Sequence, residues 1–197
     1  LLKSEVLKDF KKNYDINYFE CIEKWVDECI EIYNEYDNSK KKPTIAIVDF
    51  IESATTYEFI EFKKAFEKKG YKTFICDIKE LTYKDGLLFY QDNIIDLVYR
   101  RAVTKEIIDR KDEVSDFINA YREQKVCVVG PFKSQILHKE IIFKILHEED
   151  TLALLSDEEK LFVKKHIPYT GSFSGDEKIF NEVLNNKDKY IIKPLDL

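Results

Sequence analysis

Apolar residues recur at helical spacing through the first 36 residues, change to unbroken runs at Thr44, and then alternate between the two patterns. Phe10, Tyr14, Tyr18, Ile22, Trp25, Cys29, Ile32 and Tyr36 stand among Asp, Glu and Lys, a stripe that predicts two helices interrupted near Asn13 to Asn17. The polar run from Asp37 to Pro43 predicts a linker. Packing, with a homodimer through these helices as one outcome, is the role this segment suggests.

Thr44 to Phe50 is a continuous apolar run of the kind found in strands covered on both faces. Thr56 to Lys69 then carries Tyr57, Ile60, Phe62, Ala65 and Phe66 at helical spacing and stops at Gly70, a C-cap signal. With Tyr71 to Asp77 as the next strand, the unit is a βαβ crossover, which generates parallel sheets. Asp85-Gly86 predicts a two-residue turn in a hairpin over Leu81 to Tyr90. Ile94 to Tyr99 predicts a third core strand, residues 105 to 123 a charged helix, and Val126 to Val129 a fourth strand closed by Gly130-Pro131. Ser134 is placed to cap a helix through Ile136, Ile141, Phe143 and Leu146, and Ser156 with Glu159 forms a capping-box pattern for a helix ended by His166-Ile-Pro. Tyr190-Ile-Ile192 reads as a last short strand. The fold expected is α/β: an open, mainly parallel sheet flanked by helices, Rossmann-like, with an N-terminal helical segment.

With 197 residues, the chain is long enough for one main domain and an appendage. At 44% hydrophobic and 36% charged residues it reads as globular, with neither a disordered tail nor a membrane span, and its charged N-terminal region lacks a signal-peptide pattern, so the expected location is cytoplasmic. A net charge of −6 argues against a general nucleic-acid binder and leaves room for a local cationic pocket. Cys21, Cys29, Cys76 and Cys127 have no CxxC spacing and are expected to be reduced core thiols.

Three basic residues could carry chemistry. Arg100 and Arg101 follow directly on a buried-type strand, where ligands of open α/β sheets gather, and a guanidinium there suits a carboxylate or phosphate. Only one of the two can face a given crevice. The alternative is a strand end that the pair merely solvates. Lys139, expected early in the helix after the fourth strand, could serve an anion, or could be ordinary solvated surface. His138, His147 and His166 have no metal-ligand spacing, no GxSxG elbow occurs, and Gly171 to Gly175 lacks the pattern of a phosphate loop. No catalytic or metal-ligating residue is expected within the chain.

Taken in order, Asp96-Leu-Val-Tyr-Arg-Arg101, Lys139, Ile167-Pro-Tyr-Thr170 and Tyr190-Ile-Ile-Lys-Pro194 resemble the N-terminal part of the glutathionylspermidine synthase and eukaryotic-type glutathione synthetase branch of the ATP-grasp superfamily, from about Thr44 onward. After the helical segment over 1–42, the resemblance implies a pre-ATP-grasp domain over 43–135 and a helical connector with the first strand of an ATP-grasp module over 136–197. It further implies that Lys139 and Lys193 contact ATP phosphates and that Arg100 or Arg101 contacts substrate. The implied parent is a carboxylate–amine ligase that uses ATP and Mg, forms an acyl-phosphate, and takes small-molecule acid and amine substrates. Because Leu195-Asp196-Leu197 precedes any glycine-rich loop and no magnesium ligands are identifiable, this chain is expected to be inactive by itself and to bind ATP poorly. The competing expectation is a non-enzymatic α/β ligand-binding or protein-interaction module.

Overall fold

The computed structural model describes residues 5–14, 21–37, 39, 42–53, 56–173 and 175–193. The chain divides into two compact units, 1–130 and 131–197. Among the described residues no helix is long and apolar enough to cross a membrane.

The first unit is built on a four-stranded parallel sheet. Its strands are β1 (Ile45–Asp49), β2 (Thr73–Asp77), β6 (Leu97–Arg100) and β7 (Cys127–Val129), in the order β2-β1-β6-β7. The central strand β1 pairs Ile45 with Thr73 on one side and with Leu97 on the other. Its residues Ile45 to Val48 are fully buried, as a strand covered on both faces requires. One face packs on α2 (Cys21–Tyr36) and α3 (Thr56–Lys68), and there Ile45, Ile47, Leu97, Tyr99, Cys127 and Val129 meet Val26, Cys29, Tyr33, Phe59 and Phe66 in one core. Helix α3 ends as the sequence predicts: Gly70 takes φ +86°, and the Tyr71 N–H reaches back to the Phe66 carbonyl at 3.1 Å.

Helix α1 (Glu5–Asn13) precedes α2, and the interruption near Asn13 to Asn17 falls partly outside the described residues. The inward face of α2 is rotated from the expected stripe. Val26, Cys29, Ile30 and Tyr33 are buried, whereas Trp25, Ile32 and Tyr36 remain substantially exposed. Only Cys29 of the expected stripe is among these buried residues: Trp25, Ile32 and Tyr36 stand at the border of the packed face, where large side chains cover apolar surface without being enclosed.

Between β2 and β6 the chain runs through a small antiparallel sheet in place of a crossover helix: β3 (Leu81–Lys84), β4 (Leu87–Tyr90) and β5 (Asn93–Ile94). The Asp85-Gly86 turn has positive φ at both residues, +54° and +77°, the twist that closes a two-residue hairpin. The expected single strand Ile94 to Tyr99 is two pieces. Ile94 pairs with Phe89 in the small sheet, and Leu97 starts the parallel strand after Asp96, whose carboxylate accepts the Thr44 N–H at 2.7 Å. The helix expected over 105 to 123 is likewise divided, into α4 (Thr104–Asp109) and α5 (Ser115–Arg122). Ile107 and Ala120 are both buried, yet a continuous helix would set them about 140° apart, and the break restores their common inward direction.

The second unit is a series of short helices: α6 (Ser134–His138), α7 (Ile141–Leu146), α8 (Glu149–Leu152), α9 (Asp157–His166) and α10 (Glu177–Asn185). The predicted capping box opens α9, with the Glu159 N–H on Ser156 Oγ at 3.3 Å and the Ser156 N–H on the Glu159 carboxylate at 2.8 Å. The expected continuous helix after Ser134 breaks at Lys139, where φ −77° and ψ 121° are extended. Ile136 and Leu137 are 70% and 69% exposed, so no packing sustains a longer helix. Helix α10 had no counterpart in the sequence reading, although Asp176 caps it by accepting the Lys178 N–H at 2.8 Å.

The predicted strand over Tyr190 to Ile192 is absent. The backbone is extended at Tyr190 (φ −118°, ψ 146°), as an aromatic and β-branched run favours, but among the described residues no strand pairs with it. Pro194 to Leu197 lie outside the described residues.

Candidate functional site

The sheet order reverses its winding between β1 and β6, and the crevice outside the carboxyl ends of these two strands is where open α/β sheets take ligands. Asp49 and Phe50 leave β1 there, and Arg100 and Arg101 leave β6. The register pairs Val48 with Arg100, so Asp49 and Arg101 are the next residues out on adjacent strands.

The two arginines have different work. Arg100 is half-buried and donates from Nε to the Gly130 carbonyl at 2.5 Å, and from Nη1 to the Ala102 carbonyl at 2.5 Å and Thr104 Oγ1 at 3.2 Å. It ties the loop after β6 to the end of β7, and its burial lowers its pKa. Gly130 is fitted to this contact. It has φ +79°, and a Cβ there would lie 3.1 Å from the Arg100 carbonyl oxygen.

Arg101 is more open. Its Nη2 donates to Glu58 at 3.2 Å, and its guanidinium lies 5.8 Å from the centre of the Tyr99 ring. Trp25 and Phe62 pack on that ring at centroid separations of 5.9 and 5.2 Å, so the aromatic base under Arg101 is held from two helices. A guanidinium has five N–H donors in a planar fork. One exposed contact to Glu58 leaves Arg101 able to take a carboxylate or phosphate.

The acids around this edge are occupied by protein partners. Asp77 accepts the Ile51 N–H at 3.1 Å and the Lys79 N–H at 2.9 Å. Glu52 joins Lys79 at 2.9 Å and Arg110 at 2.6 Å. Arg110 lies 4.1 Å from the Phe50 ring centre and also pairs with Glu106 and Glu113. These contacts fix the loops after β1 and β2. Asp49 differs, because the only hydrogen bond of its carboxylate among the described residues is one oxygen accepting the following Phe50 N–H at 2.9 Å. Burial raises its pKa; the Phe50 N–H opposes the shift, Glu106 and Asp77 add to it, and Arg101 counters it.

In the second unit, Lys139 stands at the C-cap of α6, outside the helical turn that the sequence reading assigned it. Its carbonyl accepts the Ile142 N–H at 3.1 Å. Lys193 Nζ reaches both oxygens of Glu140, at 2.7 and 2.8 Å, so the structure brings Lys193 to the residue next to Lys139 in sequence. That ion pair is more than half exposed at both partners. His147 Nε2 lies 3.1 Å from the Ile167 carbonyl, and the His166 ring lies tilted against Phe162 with centroids 4.8 Å apart. Cys29, Cys76 and Cys127 are buried, and burial pushes their thiols up to about 12, 12 and 11, which keeps them protonated and inert; Cys21 is exposed. Among the described residues no group of three His, Cys, Asp or Glu side chains is placed to hold a metal ion.

Strand position alone marks both arginines without separating their roles, and it does not mark Asp49. An acid as the final residue of an otherwise apolar central strand was the available signal. Fold and edge together define the first unit as a Rossmann-like open α/β domain. No protein-family profile and no curated protein sequence matches the chain.

Proposed function

We propose that the chain is the substrate-binding part of an ATP-grasp carboxylate–amine ligase, with Arg101 at the carboxyl edge of the first unit as the cation that takes the acid substrate. The observation that carries this reading is the division of labour between neighbours: Arg100 is consumed by loop carbonyls, while Arg101 offers most of its donors at the switch point. Lys139 and Lys193 are the cations for the ATP phosphates, and the Lys193–Glu140 pair is a contact that phosphate would displace at small cost, since exposed pairs are worth about 0–1 kcal/mol. The ordered set of motifs from Asp96 to Pro194 supplies the ATP-grasp part of the reading. Among the described residues no group of three His, Cys, Asp or Glu side chains is placed to hold magnesium.

In the parent ligase, ADP formation should require an acid and an amine together, and should fall at least tenfold in Lys139→Met and Lys193→Met. Unchanged ADP formation in both variants would overturn the assignment of the lysines. A second reading, a protein-interaction module, is favoured by the exposed apolar residues of the second unit, including Ile136, Leu137, Leu154 and Ile191. An absence of any acid-dependent ADP formation would put that reading ahead.

A further inference from the structure

We propose that the ligand held at the carboxyl edge of β1 and β6 is an α-amino acid, with Arg101 on its carboxylate and Asp49 on its ammonium group. The inference rests on the preceding reading of Arg101 as an anion-binding residue and adds the second half of the ligand.

Three observations carry it. Asp49 and Arg101 are the next residues out from the paired Val48 and Arg100, and the Arg101 N–H still bonds the Val48 carbonyl at 2.8 Å, so the two follow neighbouring strands out of the sheet at the switch point. They form no ion pair with each other; Arg101 turns to Glu58, and Asp49 to its own backbone neighbour. Every other carboxylate named at this edge already has a cation or a more distant N–H as partner, whereas Asp49 has only the N–H of the next residue: Asp77, Glu52, Glu58, Glu106 and Glu113 are all so engaged. Asp49 is thus a partly buried acid with one carboxylate oxygen uncommitted, beside a guanidinium with uncommitted donors.

The charge around the two positions is also asymmetric. Glu106 and Asp77 add negative potential on the Asp49 side, whereas Arg101 supplies the positive end. A simple carboxylate would satisfy Arg101 but be repelled by Asp49, and a simple amine would meet the reverse. A zwitterion carrying both charges on groups bonded to one carbon matches both, and a partly buried site strengthens the match relative to water.

The test is an amide-resolved NMR titration of the 197-residue protein with L-alanine and L-leucine, each beside its deaminated acid (propionate, 4-methylpentanoate) and its decarboxylated amine (ethylamine, 3-methylbutylamine). The amino acids should shift the Phe50, Arg101 and Ala102 signals and bind at least tenfold more tightly than either single-charge counterpart. Asp49→Asn should remove the preference for amino acid over acid while leaving acid binding in place. Acids that bind as tightly as the amino acids, in the wild type, would overturn the ammonium role of Asp49 and leave the anion-binding reading of Arg101 standing. No response at these signals to amino acids or acids would overturn both. The wild-type comparison needs no variant, so a folding defect in Asp49→Asn would not rescue the proposal.

Discussion

The two units use the same kind of sequence to different effect. Of the buried apolar residues described, all but Val163 lie at or before Val129; beyond Gly130, large apolar side chains such as Leu154 and Ile191 are 85% exposed. The first unit has a ladder of parallel strands, and each pairing carries two faces of side chains into a core. The second has short helices, α10 among them, with Ile179, Phe180 and Leu184 exposed along it. Apolar content by itself does not make a core. A sheet that can be covered on both faces does, because every strand residue then has a layer to enter.

The contrast is broken most severely by deleting a ring from each unit. Phe66 is fully buried between α3 and the sheet, and Phe66→Ala should cost about 3–5 kcal/mol in chemical denaturation, whereas Phe180→Ala, at a 51% exposed position, should change stability by no more than about 0.5 kcal/mol. Equal losses would mean that the second unit has a core of its own. Next in size is Arg100→Met, which removes the donors to Gly130, Ala102 and Thr104 and should destabilise by about 1–3 kcal/mol. Arg101→Met, losing one exposed pair, should fall within about 1 kcal/mol of the wild type.

Within the second unit, Ser156→Ala removes the cap of α9 and should cost that helix about 1 kcal/mol, read as faster amide exchange in its first turn. The smallest effect expected is a gain. Burial raises the folded-state pKa of Asp49 above its unfolded value, so its contribution to stability is most favourable at low pH and is lost as pH rises through the folded pKa. Asp49→Asn, which can still accept the Phe50 N–H, should therefore melt slightly higher than the wild type at pH 7, and the difference should close near about pH 3, below the usual aspartate range. A lower melting temperature at pH 7 would show Asp49 to be a stabilising residue.

Much of the first unit was legible because its signals are local and strong: an apolar run for β1, Gly70 for the end of α3, and Asp85-Gly86 for the hairpin. What was missed depended on neighbours. The division at Asp96 follows from its bond to Thr44, and the break between α4 and α5 follows from which residues must point inward, neither of which is written in the spacing. Tyr190 to Ile192 shows the limit of β-propensity, since an extended backbone becomes a strand only beside a partner. At the candidate site the position of the arginines was readable from the end of their strand, but their separate roles were not. That difference comes from Gly130, thirty residues away in the chain, whose carbonyl claims Arg100.

The central claim, that Arg101 binds a small anion at the switch point while Arg100 holds the loops, is tested most directly by following amide signals of the wild type and Arg101→Gln through a titration with propionate. The account predicts shifts concentrated at Phe50, Arg101 and Ala102 in the wild type and at least a tenfold weaker response in Arg101→Gln, with the melting temperature of the variant nearly unchanged. Shifts that cluster elsewhere, or that persist undiminished in Arg101→Gln, would contradict it.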